Sequence, residues 1–185
     1  ACSHLGFKVV RSIAMAVALA SPFDSSQCPS FDPGIYWGSA MLVSRAAELL
    51  SEARGEAALC EPRVAAMAGL LSNLGLLLLA TRLPRETELA LQEAASGDIN
   101  VHQATATHCG IPYDAAGALL VDAWDLPDVL SGALNAQYAD VHKQADQSLS
   151  LLGVAVRLES TLRHEDNASL DELLARCPPG EQKPV

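Results

Sequence analysis

Histidines, cysteines and acidic residues are the side chains here that could carry chemistry, and the 185-residue sequence holds five, five and 22 of them. A divalent metal needs several imidazoles or carboxylates converging from different elements, because they must offset its lost hydration. The histidines are poorly spaced for that. His102 and His108 lie six apart, off the three- or four-residue spacing of one helix face. His142 and Asp146, at i and i+4, share a face, yet two ligands make a weak site. His4 and His164 fall near chain or helix ends. Cys2, Cys28, Cys60, Cys109 and Cys177 are dispersed, odd in number and form no C-x-x-C pair. That pattern fits reduced thiols in a cytoplasmic compartment better than a zinc knuckle or a disulfide framework. No G-x-S-x-G elbow, activated-cysteine signature, Walker loop or dinucleotide fingerprint occurs. No catalytic residue, metal or cofactor is expected from these groups.

The elements that must position any site read as helices throughout. Half the residues are hydrophobic but only 4% are aromatic, so the core is built from Leu, Ala and Val. Apolar residues recur at helical spacing, and no period-2 strand appears. The first helix covers "HLGFKVVRSIAMAVALA", 4–20. After a polar loop, Asp32-Pro33 caps a helix reaching Arg54, and Glu61-Pro62 opens the next. Gly75 is expected to break or kink that helix, with a short continuation ended by Pro84. An amphipathic helix over 84–95 carries Glu86, Glu88 and Glu93 on its wetter side. Segments 99–109 and 112–124 follow, then 126–139 with Asp125 as N-cap and Pro127 in its first turn. A long helix over 144–165 presents two apolar rows, Ala145-Leu149-Leu152-Val156 and Leu151-Ala155-Leu158-Leu162. A short one over 168–177 ends the order. The expected architecture is one all-α domain over 1–175, with a flexible tail over 176–185.

Charge and hydropathy exclude two partner classes. With 12 basic against 22 acidic side chains the net charge is −10, and no basic stripe exists for a nucleic acid. The apolar runs 12–20 and 74–80 are shorter than the ~20 residues a bilayer requires, so no membrane partner is expected.

Several segments, in order, resemble the HDOD domain, a non-catalytic relative of the HD-type metal-dependent phosphohydrolases. That family's "GLLHDIG" appears here as "GLLSNLG", 69–75. Its glycine, histidine, second glycine and "W-x-LP" are matched by "GIPYDAAGALLVDAWDLP", 110–127. "LSGALNAQY", 130–138, stands where a helix closing in paired histidines usually follows. Upstream, "IYWGSAMLVSRAAELL", 35–50, is similar to the family's tryptophan-to-histidine-serine helix start, and "HLGFKVV" to the helix before it. The resemblance runs from about residue 1 to about residue 160. The family's usual helical segment ahead of "HLGFKVV" is missing from the sequence.

The resemblance implies an HD-like helical bundle whose metal ligands have been replaced. Gly38 takes the first histidine's place, Ser72 and Asn73 that of the His-Asp pair, and Tyr113 that of the next histidine. Gln137 and Tyr138 replace the paired histidines, and Asp146 alone keeps an acidic position. These seven positions are the candidate site, as a polar cluster or a ligand cleft. Ser72 and Asn73 can equally serve as a helix end satisfying backbone groups beside Gly75. The implied role is a bacterial signalling output or scaffold acting through protein partners, among them receiver, GAF, diguanylate cyclase or phosphodiesterase modules. A small-molecule sensor using the vacated cleft is the alternative. A divergent hydrolase built on His142 and Asp146 is the third reading.

Overall fold

A computed structural model describes residues 26–54, 61–97, 99–137 and 155–156. Among them are seven helices and no strand: α1 (Pro33–Arg54), α2 (Pro62–Leu71), α3 (Leu74–Arg82), α4 (Pro84–Ser96), α5 (Val101–Cys109), α6 (Tyr113–Ala123) and α7 (Asp128–Ala136). The class is all-α, as the periodicity predicts. The expected helices over 4–20 and 168–177 lie outside the described residues. Of the long one over 144–165 only Ala155 and Val156 are described, both helical and buried.

Local chemistry accounts for most helix ends. Asp32 Oδ1 accepts from Gly34 N (2.7 Å) and Ile35 N (3.1 Å), capping α1 as expected. Pro62 and Pro84 open α2 and α4 in first-turn positions, where their missing N–H costs nothing. Gly97 (φ 89°) and Gly110 (φ 74°) end α4 and α5 in the left-handed region. Asn100 and Gln103 form a capping box on α5 that its flanking sequence already spells.

Two boundaries differ from the sequence reading. The break falls at Ser72-Asn73, while Gly75 lies inside α3. Asp125 does not cap α7. It sits at φ 52° just beyond α6, with its N–H on Asp122 O (3.0 Å) and the Leu126 N–H on Val121 O (3.2 Å). These two bonds are the 5→2 and 6→1 pair of a Schellman ending, and Leu126 and Val121, at the positions where such an ending is usually apolar, are both buried. Pro127 then precedes α7, its carbonyl accepting from Leu130 N (2.8 Å). Asp125 thus occupies the place where glycine is at ease, and replacing it should help. Asp125→Gly is expected to stabilise by about 0.5–1 kcal/mol, after the entropy glycine adds to the unfolded chain. A thermal melt would read this as an upward shift of roughly 2 °C.

The described residues group into two compact units. One holds 26–37, 73–97 and 99–131, the other 38–54, 61–72, 132–137 and 155–156. In the first, α3 packs on α6 and α4, and α5 lies against α4 and α6. Its aromatic corner is Phe31, Tyr36 and Trp37, stacked on Leu77 and Ala80 beside Cys28. The second unit is cored by Ala40, Val43, Ala47, Ala65, Ala68, Leu71 and Leu134.

Glycine decides how near the helices come in each unit. A Cβ on Gly75 would lie 1.7 Å from Tyr113 O and 2.5 Å from Gly117 N, so α3 rides directly on the α6 backbone. A Cβ on Gly69 would lie 2.6 Å from Ser44 Cα, and there α2 meets α1, helped by Ser44 Oγ donating to Ala66 O (2.8 Å). Both ends of "GLLSNLG" are therefore packing contacts. Taken together α2 and α3 (Pro62–Arg82) are long and apolar enough to cross a bilayer, but 56% of that window is already buried within the protein.

Candidate functional site

The stretch between Gly69 and Gly75 is where the family resemblance places metal ligands, and its geometry follows from the helix break. Ser72 is the C-cap of α2, its N–H on Gly69 O (3.2 Å). Asn73 (φ −98°, ψ 7°) starts α3 by accepting Leu76 N (3.0 Å) at its carbonyl, and its side chain makes no cap bond. Ser72 is fully buried, at 0% exposure, while Asn73 is half-buried. One residue thus looks inward and its neighbour partly outward.

Gln137, which stands for one of the paired histidines, is also buried at 1% exposure. Its Nε2 donates to Ser72 O over 3.4 Å, joining residues 65 positions apart. Ser72 Oγ and Gln137 Oε1 are both buried without a hydrogen-bond partner. The structure therefore brings together two of the seven expected residues, in the second unit. Gly38, in the same unit, is exposed, with open space where a side chain would be. Tyr113 and Asn73 belong to the first unit; Tyr113 is buried at the start of α6, its N–H donating to Thr105 Oγ1 (3.1 Å). Tyr138 and Asp146, like His142, lie outside the described residues.

The donor set does not fit a transition metal. Serine, asparagine and glutamine offer neutral oxygens, poor at offsetting an ion's hydration, and one carboxylate at Asp146 could not do so alone. Among the described residues no group of three or more His, Cys, Asp or Glu side chains could hold an ion.

Three polar contacts of the first unit were not legible beforehand. His102 Nδ1 meets Asp114 Oδ1 at 2.9 Å, with Asp114 only 3% exposed. The ring nitrogen is the donor, since a carboxylate only accepts, and this fixes the ring's orientation. His108 Nε2 meets Glu93 Oε2 at 2.7 Å. Helix α5 is thereby tied to α6 by one histidine and to α4 by the other. Separations of 12 and 15 residues across turns carry no periodic signal, which is why spacing alone sees two scattered histidines.

The third contact is Glu88, read from sequence as a wet position. Its carboxylate accepts Ser30 N (2.8 Å), Ser30 Oγ (2.7 Å) and Gln92 Nε2 (2.7 Å), pinning the 26–31 loop to α4. Desolvation opposes its ionisation, but the bonds from Ser30, Gln92 and Cys28 outweigh it and hold the carboxyl below its usual range. Burial pushes the neighbouring Cys28 thiol up to about 11, reinforced by its bond to Glu88. Cys109 is raised as well, chiefly by burial. A thiol so far from ionisation is a poor nucleophile. Iodoacetamide at pH 7.5, mapped by mass spectrometry, is expected to leave Cys28 unmodified in the folded protein and to label it after denaturation.

Comparison with known proteins bears on these observations together. A family model described as the HDOD domain matches residues 1–140. The fold is similar to the MmoQ response regulator of Methylococcus capsulatus, at 22% identity and a TM-score of 0.66, covering 84% of this chain and 61% of that one. A Marinobacter aquaeolei protein assigned by inference to signal transduction gives 23% identity and a TM-score of 0.69, over 94% and 43% of the two chains. A Shewanella amazonensis protein assigned by inference to the phosphohydrolases gives 18% and 0.69, over 92% and 62%. The chain spans less than two thirds of each of these structures. No curated protein matches it.

Proposed function

The chain belongs to the HDOD family, and from that premise we propose that it is a non-catalytic signalling domain which passes its signal through contacts with other proteins. The observation that carries this reading is the buried Ser72–Gln137 pair. Where a hydrolase keeps basic ligands, this chain keeps two neutral side chains inside the protein, one bonded to the other's backbone. The glycines of the same motif are packing contacts, so the helix arrangement around the pair is held without an ion. The solved relatives named for response regulation and signal transduction support a regulatory setting. A cytoplasmic, bacterial location and partners of receiver, GAF, cyclase or phosphodiesterase type complete the proposal. Two assays test it. Purified protein given manganese, iron or zinc should not hydrolyse bis(p-nitrophenyl) phosphate, and a regulatory module encoded beside it should co-purify with it. Metal-dependent turnover that disappears with substitution of Ser72 or Gln137 would overturn it.

One observation favours a second reading, a small-molecule sensor. Ser72 Oγ and Gln137 Oε1 are hydrogen-bonding groups without partners, and because both are buried a nucleotide would reach them only if the helices around them opened. A thermal-shift series with mononucleotides and cyclic dinucleotides separates the two readings, because a ligand selective for the folded state raises its apparent stability.

A further inference from the structure

We propose that the Ser72–Gln137 pair encloses one ordered water molecule, bridging Ser72 Oγ and Gln137 Oε1. Each of these atoms is buried and unpartnered, on side chains 0% and 1% exposed. An orphaned polar group inside a protein loses its hydration with nothing in return, so such groups are almost always bonded to protein or to water. Both orphans belong to residues already joined by the Gln137 Nε2 to Ser72 O bond, which fixes the carboxamide's orientation. With Nε2 committed there, Oε1 is left as an acceptor only, and Ser72 Oγ can donate or accept.

The chemistry of these groups selects the guest. Oε1 requires a donor, which excludes an anion, and two neutral oxygens cannot offset the hydration of a divalent cation. Burial of both side chains limits the guest to something small. Water donates to Oε1 and either accepts from or donates to Oγ, reaching the two polar partners that an internal water minimally needs. The inference rests on burial and hydrogen-bond accounting, not on the signalling reading, so either can fail alone.

A high-resolution crystal structure of the protein tests it, and should show one water within hydrogen-bond distance of both oxygens. In solution, the Gln137 side-chain amide protons should show cross-relaxation with a long-lived water. Ser72→Ala and Gln137→Leu should each lower the folding equilibrium constant by about tenfold, and the double variant by little more than the larger single effect, because the first substitution already releases the water. A direct Ser72 Oγ to Gln137 Oε1 bond with no water between would overturn the proposal. So would a third side chain or a solute at that position, or additive effects of the two substitutions.

Discussion

Gly75→Ala should cost this protein about 3 kcal/mol, the upper end of what overpacking a core costs, even though alanine is the better helix former. Helix propensity alone predicts the opposite sign, a gain of about 1 kcal/mol for glycine to alanine inside α3. Against it stands a methyl group placed 1.7 Å from Tyr113 O and 2.5 Å from Gly117 N. These are backbone atoms, so no rotamer change relieves the clash. The two helices must separate, and Leu74 and Leu77, both buried in α3, lose their packing as they do. Chemical denaturation reads the result as a lower midpoint. Gly69→Ala should follow in the same direction, since its Cβ would stand 2.6 Å from Ser44 Cα. A neutral or stabilising Gly75→Ala would mean that α3 and α6 do not touch as described.

His102→Leu is the second large effect, at about 2 kcal/mol. The carboxylate of Asp114 is buried, and without the imidazole donor it keeps its desolvation with no charge-assisted bond to offset it. Loss of a fully buried pair's partner costs about 3–5 kcal/mol, and the smaller figure reflects that the His102 side chain is itself 27% exposed, letting water reach the gap. Removing both partners should be milder than removing one. The double variant His102→Leu with Asp114→Leu is therefore expected to recover part of the loss, measured by the same denaturation midpoint. A cost for His102→Leu no larger than that of an exposed surface substitution would show that the pair contributes nothing.

Helix content, the cap at Asp32 and the existence of a break near Gly75 were legible because they depend on neighbours in sequence. The misplacement of the break shows where that ends. Gly75 carries the usual mark of a helix breaker, but the α6 backbone against it makes it a contact point inside a helix. Asp125 before Pro127 has the pattern of an N-cap, and the preceding helix's Schellman ending claims it instead. Of the candidate site, the motif named Ser72 and Gln137 among its seven positions, and one hydrogen bond joins these two in the structure. His102–Asp114 and His108–Glu93 were not legible, because each bond is made by tertiary packing between helices, which leaves no period in the chain.

Titration calorimetry of the purified protein with manganese, ferrous iron and zinc, paired with elemental analysis, tests the central claim most directly. The account predicts no stoichiometric, saturable site and no metal-dependent rise in melting temperature. One tightly held ion per chain, lost on substitution of Ser72 or Gln137, would contradict it.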